Sequence, residues 1–129
     1  MAKLISFDID GTMFFGEPAG KIALEKVLEE KANGHWVGSA SDRTLREQQR
    51  LWDLHGFQPD FISQKHRLEE IRDRFPAEEY WHIGDTEQDR MLARMAGFRF
   101  CWVDEYARNG GILIERDGTI INGASQPQL

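Results

Sequence analysis

Short apolar segments alternate with segments of helical spacing along most of this chain, and this alternation constrains the fold more than any other feature. The apolar segments occupy residues 3–7, 35–38, 80–83 and 98–103, with a weaker one at Phe61-Ile62. Each is short and nearly continuous in apolar character, which is typical of parallel strands buried on both faces. We therefore predict a doubly wound, Rossmann-like parallel α/β sandwich.

Four helices are predicted between these strands, because apolar residues recur there at three- and four-residue spacing. They end at residues that commonly stop helices, namely Gly34, Gly56, Pro76 and Gly97. No linker, internal repeat or low-complexity block interrupts the alternation, so residues 1–129 are interpreted as one domain.

The C-terminal part has a different pattern. Two apolar runs, 112–114 and 119–121, flank Asp117-Gly118, which predicts an accessory β-hairpin over residues 112–121. The polar stretch 122–129 is expected to be frayed.

Composition limits the environment and the partners. The chain has 16 Lys and Arg against 22 Asp and Glu, a net charge of -6, which argues against nucleic acid as a partner. The single cysteine, Cys101, cannot form an internal disulfide. No apolar run approaches the roughly 20 residues needed to cross a bilayer, and the first residues lack the layout of a secretory signal. We therefore expect a cytoplasmic protein without membrane contact.

Acidic, hydroxyl and basic residues follow the predicted strands. In an open α/β sheet, ligands bind outside the carboxyl ends of the strands. The residues at these positions are Asp8 and Asp10 after the first strand, Ser39 after the second, Lys65 after the third, and Asp85 and Asp89 after the fourth. We expect these side chains to meet at one rim of the sheet.

Carboxylates that crowd together repel one another unless their pKa values rise or a cation neutralises them. An all-oxygen, carboxylate-rich cluster suits Mg²⁺, particularly where phosphate is also bound. Lys65 would neutralise phosphoryl oxygens and Ser39 would donate a hydrogen bond to them. Ser39 is preferred to Ser41 because it directly follows the predicted strand, and Ser41 or Asp42 is the expected N-cap of the second helix.

This set of residues resembles the four ordered motifs of the haloacid dehalogenase (HAD) superfamily. The first motif of that family is an apolar strand followed by Asp-x-Asp-Gly-Thr, which here is Asp8-Ile9-Asp10-Gly11-Thr12, and the resemblance extends from Leu4 to about Val103. It implies a HAD-like fold and a phosphatase in which Asp8 attacks phosphorus to form an aspartyl-phosphate. Asp10 would then serve as general acid and base.

The same resemblance implies roles for the remaining motif residues. Ser39, with the adjacent Ala40, and Lys65 would bind phosphate. Asp8, the backbone carbonyl of Asp10, and Asp85 would hold Mg²⁺, and Asp89 would be a ligand through water or would orient Lys65 and the metal. The substrate would be a phosphorylated small molecule or macromolecule.

The spacing of the motifs leaves no room for a cap domain. Asp10 and Ser39 are 29 positions apart, and Ser39 and Lys65 are 26 apart, which one helix and its connections fill. The chain therefore resembles the capless subclass, whose open site admits a large substrate or is covered by a neighbouring subunit in a homo-oligomer. Only residues 13–18 remain as a small flap. Phe14 and Phe15 are expected to pack under it, with substrate contact or a subunit interface as alternatives.

Other residues carry less weight. His66 is expected to face solvent, with contact to the leaving group as the alternative. Arg43 and Arg90 are candidates for steering an anionic substrate, although surface arginines are common. Structural roles are expected for His35, His55, His82 and the core thiol Cys101.

Two further function classes stay open at this point. One is a low-activity or non-catalytic module that keeps the phosphate and metal site to bind a partner. The other is a receiver-like signalling domain, which also places acids, a hydroxyl and a lysine on such a sheet. A receiver needs its phosphorylated aspartate after the third strand, where this chain has Ser63-Gln64.

Overall fold

The computed structural model describes residues 2–115 as strands and helices in alternation. In chain order these are β1 (Lys3–Phe7), α1 (Leu24–Ala32), β2 (Trp36–Ser41), α2 (Leu45–Leu54), β3 (Phe61–Gln64), α3 (Leu68–Arg74), β4 (Glu79–Gly84), α4 (Glu87–Met95), β5 (Arg99–Trp102) and α5 (Val103–Arg108). A 3₁₀ turn over Lys65–Arg67 joins β3 to α3. The predicted alternation is confirmed.

The five strands form one parallel sheet in the order β3-β2-β1-β4-β5. β1 lies in the middle and pairs with both β2 and β4. The chain moves outward from β1 to β3 and then returns to the other side of β1 for β4, so the strand order reverses beside β1. In open α/β sheets the ligand crevice lies at such a reversal, outside the carboxyl ends of the strands.

Successive residues of β1 face opposite sides of the sheet. Ile5 and Phe7 belong to a buried apolar cluster that also contains side chains of α1, α2 and α5. Leu4 belongs to a second cluster with side chains of α3 and α4. Both faces of the central strand are therefore covered, which confirms the sandwich with helices on both sides of the sheet and explains the continuous apolar character of β1.

Two details at the ends of elements differ from the predictions. Thr44, and not Ser41 or Asp42, is the N-cap of α2, where its hydroxyl and Glu47 form a capping box. The apolar run 98–103 divides into β5 and the start of α5. Acidic residues in the first turn, Asp104 and Glu105, favour a helix at that point because they interact well with its N-terminus.

The described residues include only the first part of the predicted C-terminal hairpin. Residues 112–115 carry no regular secondary structure. The remainder of the predicted hairpin over 112–121, and the tail 122–129, lie outside the described residues. Between residues 2 and 115, no helix is long and apolar enough to cross a membrane.

Candidate functional site

A cavity of about 280 Å³ opens at the carboxyl edge of the sheet, beside the end of β1. Its lining comes from the end of β2 and from the segments that follow β1, β2, β3 and β4, and comprises Asp8, Asp10, Pro18, Ser41, Asp42, Lys65, Asp85, Thr86 and Gln88. Of the predicted site residues, the parallel topology thus brings Asp8, Asp10, Lys65 and Asp85 to one cavity.

Asp8 and Lys65 form the buried floor of this cavity. Lys65 Nζ lies 3.5 Å from Asp8 Oδ2 and 3.0 Å from Asp89 Oδ1. Burial raises the pKa of Asp8 to about 8 and the charge of Asp89 adds to this effect, against the opposing influence of Lys65 and of the Ile9 N–H. Burial acts to lower the pKa of Lys65, but the charges of Asp8 and Asp89 outweigh it and raise that pKa. The site therefore holds a charged ammonium beside a carboxyl group that a further cation would ionise.

Asp89 is fully buried and is surrounded by hydrogen-bond donors. Its Oδ1 lies 3.0 Å from both His82 Nε2 and Lys65 Nζ, and its Oδ2 accepts from the backbone N–H and the hydroxyl of Thr86 at 3.1 and 2.7 Å. These four donors match the roughly four acceptor positions of a carboxylate. Burial acts to raise the pKa of Asp89, but the hydrogen bond from His82 and the charge of Lys65 outweigh it and the pKa is lowered. This geometry suits Asp89 to orienting Lys65 more than to direct coordination of a metal.

Asp10 forms a hydrogen-bonded ion pair with Arg43, a contact that was not predicted from the sequence. Arg43 Nε lies 3.2 and 3.1 Å from the two carboxylate oxygens, its second amino group donates to Oδ1 at 2.9 Å, and the Glu17 N–H donates to Oδ1 at 2.8 Å. Burial acts to raise the pKa of Asp10, but the hydrogen bonds from Arg43 and Glu17 outweigh it, so the pKa is lowered. Asp10 is thereby held in its ionised form, ready to accept a proton, and Arg43 opposes its action as an acid. The sequence signal was only an arginine in the loop after the second strand, which resembles an ordinary surface residue.

The structure corrects the placement of Ser39. β2 continues to Ser41, so Ser39 lies inside the strand, where it is fully buried. Its hydroxyl donates to Gln48 Oε1 at 2.7 Å and accepts from Trp52 Nε1 at 2.9 Å, which fastens α2 to the sheet. Ala40 contributes to the apolar cluster on the opposite face. Ser41 is the hydroxyl residue of this strand that lines the cavity.

Three carboxylates in and beside the cavity form an oxygen cluster that can hold a cation. One oxygen each from Asp8, Asp85 and Asp89 lie within 4.8 Å of one another, and oxygen ligands suit hard divalent cations. Gly11 allows Asp85 to approach closely: its φ is 77°, and a Cβ at this position would lie 2.0 Å from Asp85 Oδ2. The first motif therefore needs glycine here both for its backbone conformation and for the space that Asp85 occupies.

The flap over residues 13–18 packs against the C-terminal end of α2. Phe15 stacks on His55 with ring centroids 4.8 Å apart and meets Trp52 edge-on at 5.2 Å. Phe14 contacts His55 at 4.9 Å and is 39% exposed. Phe15 thus packs against the core beside the helix, as expected for packing under the flap. Phe14 touches His55 but is exposed, so its predicted packing is met only in part.

The remaining candidates lie away from the cavity. His66 is exposed, and Arg90 donates to Glu87 Oε1 at 2.7 Å. His35 accepts a hydrogen bond from the backbone at the amino end of β1, and Cys101 is buried in the core. His82 differs from these residues because its ring bonds directly to Asp89. Only a structural role is expected for His82 from the sequence, and this contact was not predicted.

Comparisons with known proteins supply no match for this chain. No protein-family model matches it, and neither a curated protein nor a solved structure does. A function must therefore be inferred from the geometry of the cavity and from the motif resemblance.

Proposed function

We propose that this protein is a Mg²⁺-dependent phosphomonoester hydrolase of the HAD type, with Asp8 as its nucleophile. The observation that carries this proposal is the convergence of Asp8, Asp10, Lys65 and Asp85, from the segments after β1, β3 and β4, on one cavity at the strand-order reversal. A nucleophilic carboxylate, a second acid, a cation and an oxygen cluster for a metal are what phosphoryl transfer through an aspartyl-phosphate requires.

The proposed metal ligands are Asp8, Asp85 and the backbone carbonyl of Asp10. Bound there, Mg²⁺ would supply positive charge that offsets the carboxylates and the phosphoryl oxygens. Asp89 takes the orienting role, because its oxygens already accept hydrogen bonds from His82, Lys65 and Thr86.

In the first step, a carboxylate oxygen of Asp8 attacks the phosphorus of the substrate. A bond forms between that oxygen and phosphorus, and the bond from phosphorus to the leaving oxygen breaks. Lys65, whose ammonium lies 3.5 Å from Asp8 Oδ2, offsets the charge of the phosphoryl oxygens, and Ser41 is the hydroxyl placed to donate to them. Asp10 delivers a proton to the leaving oxygen. Because the pairing with Arg43 keeps Asp10 ionised, Asp10 first has to separate from Arg43 and take up that proton from solvent.

In the second step, water attacks the aspartyl-phosphate and Asp10 accepts a proton from it. The bond between phosphorus and the Asp8 oxygen breaks, which releases inorganic phosphate and restores the carboxylate. The hydrogen bonds from Arg43 and Glu17 keep Asp10 ionised, so the resting structure suits this second step better than the first.

The openness of the site bears on the substrate. Pro18 of the flap forms one wall of the cavity, and the cavity accepts a large phosphorylated substrate or is covered by a second copy of the chain. If a second copy covers it, purified protein will elute as an oligomer and Phe14→Ala will weaken that assembly. A monomer with full activity on small phosphate esters contradicts the covering subunit.

The direct test of the proposed activity is Asp8→Asn. This nearly isosteric change should abolish hydrolysis of 4-nitrophenyl phosphate in the presence of Mg²⁺ while leaving the melting temperature nearly unchanged. Asp53→Asn, which alters an exposed acid of α2, is the matched control and should keep full activity. Hydrolysis that survives in Asp8→Asn would overturn the mechanism.

A non-catalytic module that binds phosphate and metal is the second candidate. The pairing of Asp10 with Arg43 favours it, because this contact opposes the acid role that catalysis requires. Such a module would bind Mg²⁺ and inorganic phosphate but would turn over nothing in a broad panel of phosphate esters. The receiver-like alternative is disfavoured by the strand order β3-β2-β1-β4-β5, since receiver domains have the flavodoxin-like order 2-1-3-4-5.

A further inference from the structure

A buried histidine lies directly beneath the candidate site and takes no part in the proposed steps. His82 belongs to β4, beside Ser6 on β1, and its side chain is fully buried. Its Nδ1 lies 2.9 Å from Ser6 Oγ, and its Nε2 lies 3.0 Å from Asp89 Oδ1. These two contacts place the ring between the central strand and the carboxylate that holds Lys65.

The chemistry of its two partners assigns the hydrogen on the ring. An ionised carboxylate can only accept hydrogen bonds, so Nε2 of His82 carries the hydrogen that points at Asp89. In the neutral ring, Nδ1 then accepts a hydrogen bond from the Ser6 hydroxyl. In this arrangement both nitrogens have partners, and Ser6 fixes the orientation of the ring.

The two oxygens of Asp89 are held in different ways. Oδ2 belongs to the capping box of α4 and is bonded by the backbone N–H and hydroxyl of Thr86. Oδ1 is shared between His82 and Lys65. Loss of the His82 donor would leave the helix cap in place and would release only the oxygen that anchors Lys65.

The end of β4 is shaped for this close approach. A Cβ at Gly84 would lie 2.5 Å from Asp89 Cγ and 2.7 Å from its Oδ2. The absence of a side chain at Gly84 thus lets the carboxylate lie against the strand, within reach of His82. Two residues of β4 therefore support the contact: His82 supplies the hydrogen-bond donor, and Gly84 leaves the space that Asp89 occupies.

We propose that His82 is a positioning residue: its Nε2–H, fixed by Ser6, orients Asp89 so that Lys65 stays directed at Asp8. Its effect on turnover rests on the proposed phosphatase function. The hydrogen-bond chain from Ser6 through His82 and Asp89 to Lys65 does not depend on that function, and it can be measured in a protein without enzymatic activity.

The first measurement is nitrogen NMR of the imidazole rings in the metal-free protein. His82 is expected to carry a hydrogen on Nε2, and Ser6→Ala is expected to shift its Nδ1 signal. His35→Gln removes the signals of a half-buried histidine at the amino edge of the sheet and should leave the His82 signals unchanged. An Nε2 without hydrogen would overturn the proposal.

The second measurement compares His82→Leu, which has no donor, with His82→Gln, whose amide retains an N–H near the position of Nε2. With Mg²⁺ and 4-nitrophenyl phosphate, we expect His82→Leu to lower kcat by about 10- to 100-fold, the range typical of removing a hydrogen-bond partner that orients a residue of a metal site. His82→Gln should recover most of the loss at temperatures where both variants are folded. Equal kcat values for the two variants, whether both reduced or both normal, would show a merely structural role.

The third measurement separates this proposal from the proposed function. Calorimetric binding of inorganic phosphate in the presence of Mg²⁺ requires no turnover and reports on Lys65. Phosphate should bind more weakly to His82→Leu than to wild type and His82→Gln, even if no phosphate ester is hydrolysed. Absence of turnover in wild type would refute the hydrolase alone, whereas equal phosphate affinity in all three proteins would refute the role of His82.

Discussion

Arg43 and Asp10 illustrate how one contact between two side chains sets the chemistry of the candidate site. Asp10 could be predicted because it follows an apolar strand, but its protonation depends on Arg43, which reaches it from the loop after β2. Such a contact depends on the positions of two loops in space, which residue spacing does not reveal. The placement of Ser39 was wrong for a related reason, since the small residues 38–41 carry no apolar marker of where β2 ends.

Replacing Arg43 should change which leaving groups the site tolerates. In Arg43→Gln the pKa of Asp10 rises toward its ordinary value because the main hydrogen bonds that lower it are lost, so more of the carboxyl can donate a proton. Alkyl phosphates need that proton more than aryl phosphates do. The ratio of kcat for an alkyl phosphate to kcat for 4-nitrophenyl phosphate should therefore increase.

Arg46→Gln is the control for this change, because Arg46 is an exposed residue of α2 and the variant should keep the wild-type ratio. If Arg43→Gln also leaves the ratio unaltered, the pairing with Arg43 does not limit proton donation by Asp10.

At the scale of elements, the helices were predicted from apolar spacing, whereas their caps and their links to the site were not. α2 and α4 both begin with a threonine capping box. Only the box of α4 includes a site residue, because its third position is Asp89. α5 escaped prediction because Val103 continues the apolar run of β5 and the helix is only 6 residues long.

The two capping boxes offer a matched pair of variants. Thr44→Ala and Thr86→Ala should each lower the free energy of unfolding by about 0.5–2 kcal/mol, as measured by urea denaturation. Only Thr86→Ala should also reduce turnover, because it removes a hydrogen bond to Asp89 Oδ2. A similar loss of turnover in both variants would mean that the effect comes from general destabilisation.

A second link between elements predicts how stability depends on pH. The Tyr106 hydroxyl in α5 donates to Glu30 Oε2 in α1 at 2.7 Å, and burial, together with that hydrogen bond and charge, raises the pKa of Tyr106. A raised pKa in the folded state means that the stabilisation is complete below the unfolded pKa of about 10 and is lost as pH rises above it. The free energy of unfolding should thus fall above pH ~10, by at most about 1.4 kcal/mol per pH unit.

Tyr106→Phe should remove the part of the decrease in unfolding free energy at alkaline pH that comes from ionisation of Tyr106. It should also cost about 1–3 kcal/mol at neutral pH, since Glu30 keeps its burial and loses its donor. Tyr80→Phe retains the Tyr106 hydroxyl and should keep the steep alkaline loss. Urea denaturation of the three proteins between pH 7 and pH 11 checks both statements, and parallel curves for wild type and Tyr106→Phe would contradict them.

At the scale of the whole molecule, the fold class and the sheet edge that carries the candidate site could be predicted, because both follow from strand burial. Strands apolar on both faces require a parallel sheet with helices on each side, and the sheet order then collects the loops after β1, β2, β3 and β4 at one edge. The net charge of -6 is a poor guide to ligands at this scale. The cavity combines carboxylates with the buried cation Lys65, and with Mg²⁺ it would attract phosphate.

If Asp8 is the nucleophile, it becomes phosphorylated during turnover, and the aspartyl-phosphate can be trapped. The protein is mixed with 4-nitrophenyl phosphate and Mg²⁺, quenched rapidly in acid and digested, and the peptides are analysed by mass spectrometry, with Asp10→Asn used to slow hydrolysis of the intermediate. We expect a phosphate on Asp8 that hydroxylamine removes and that is absent from Asp8→Asn. Two results would contradict Asp8 as the nucleophile. One is steady hydrolysis with no phosphorylated peptide in wild type or Asp10→Asn, and the other is a phosphate on another residue.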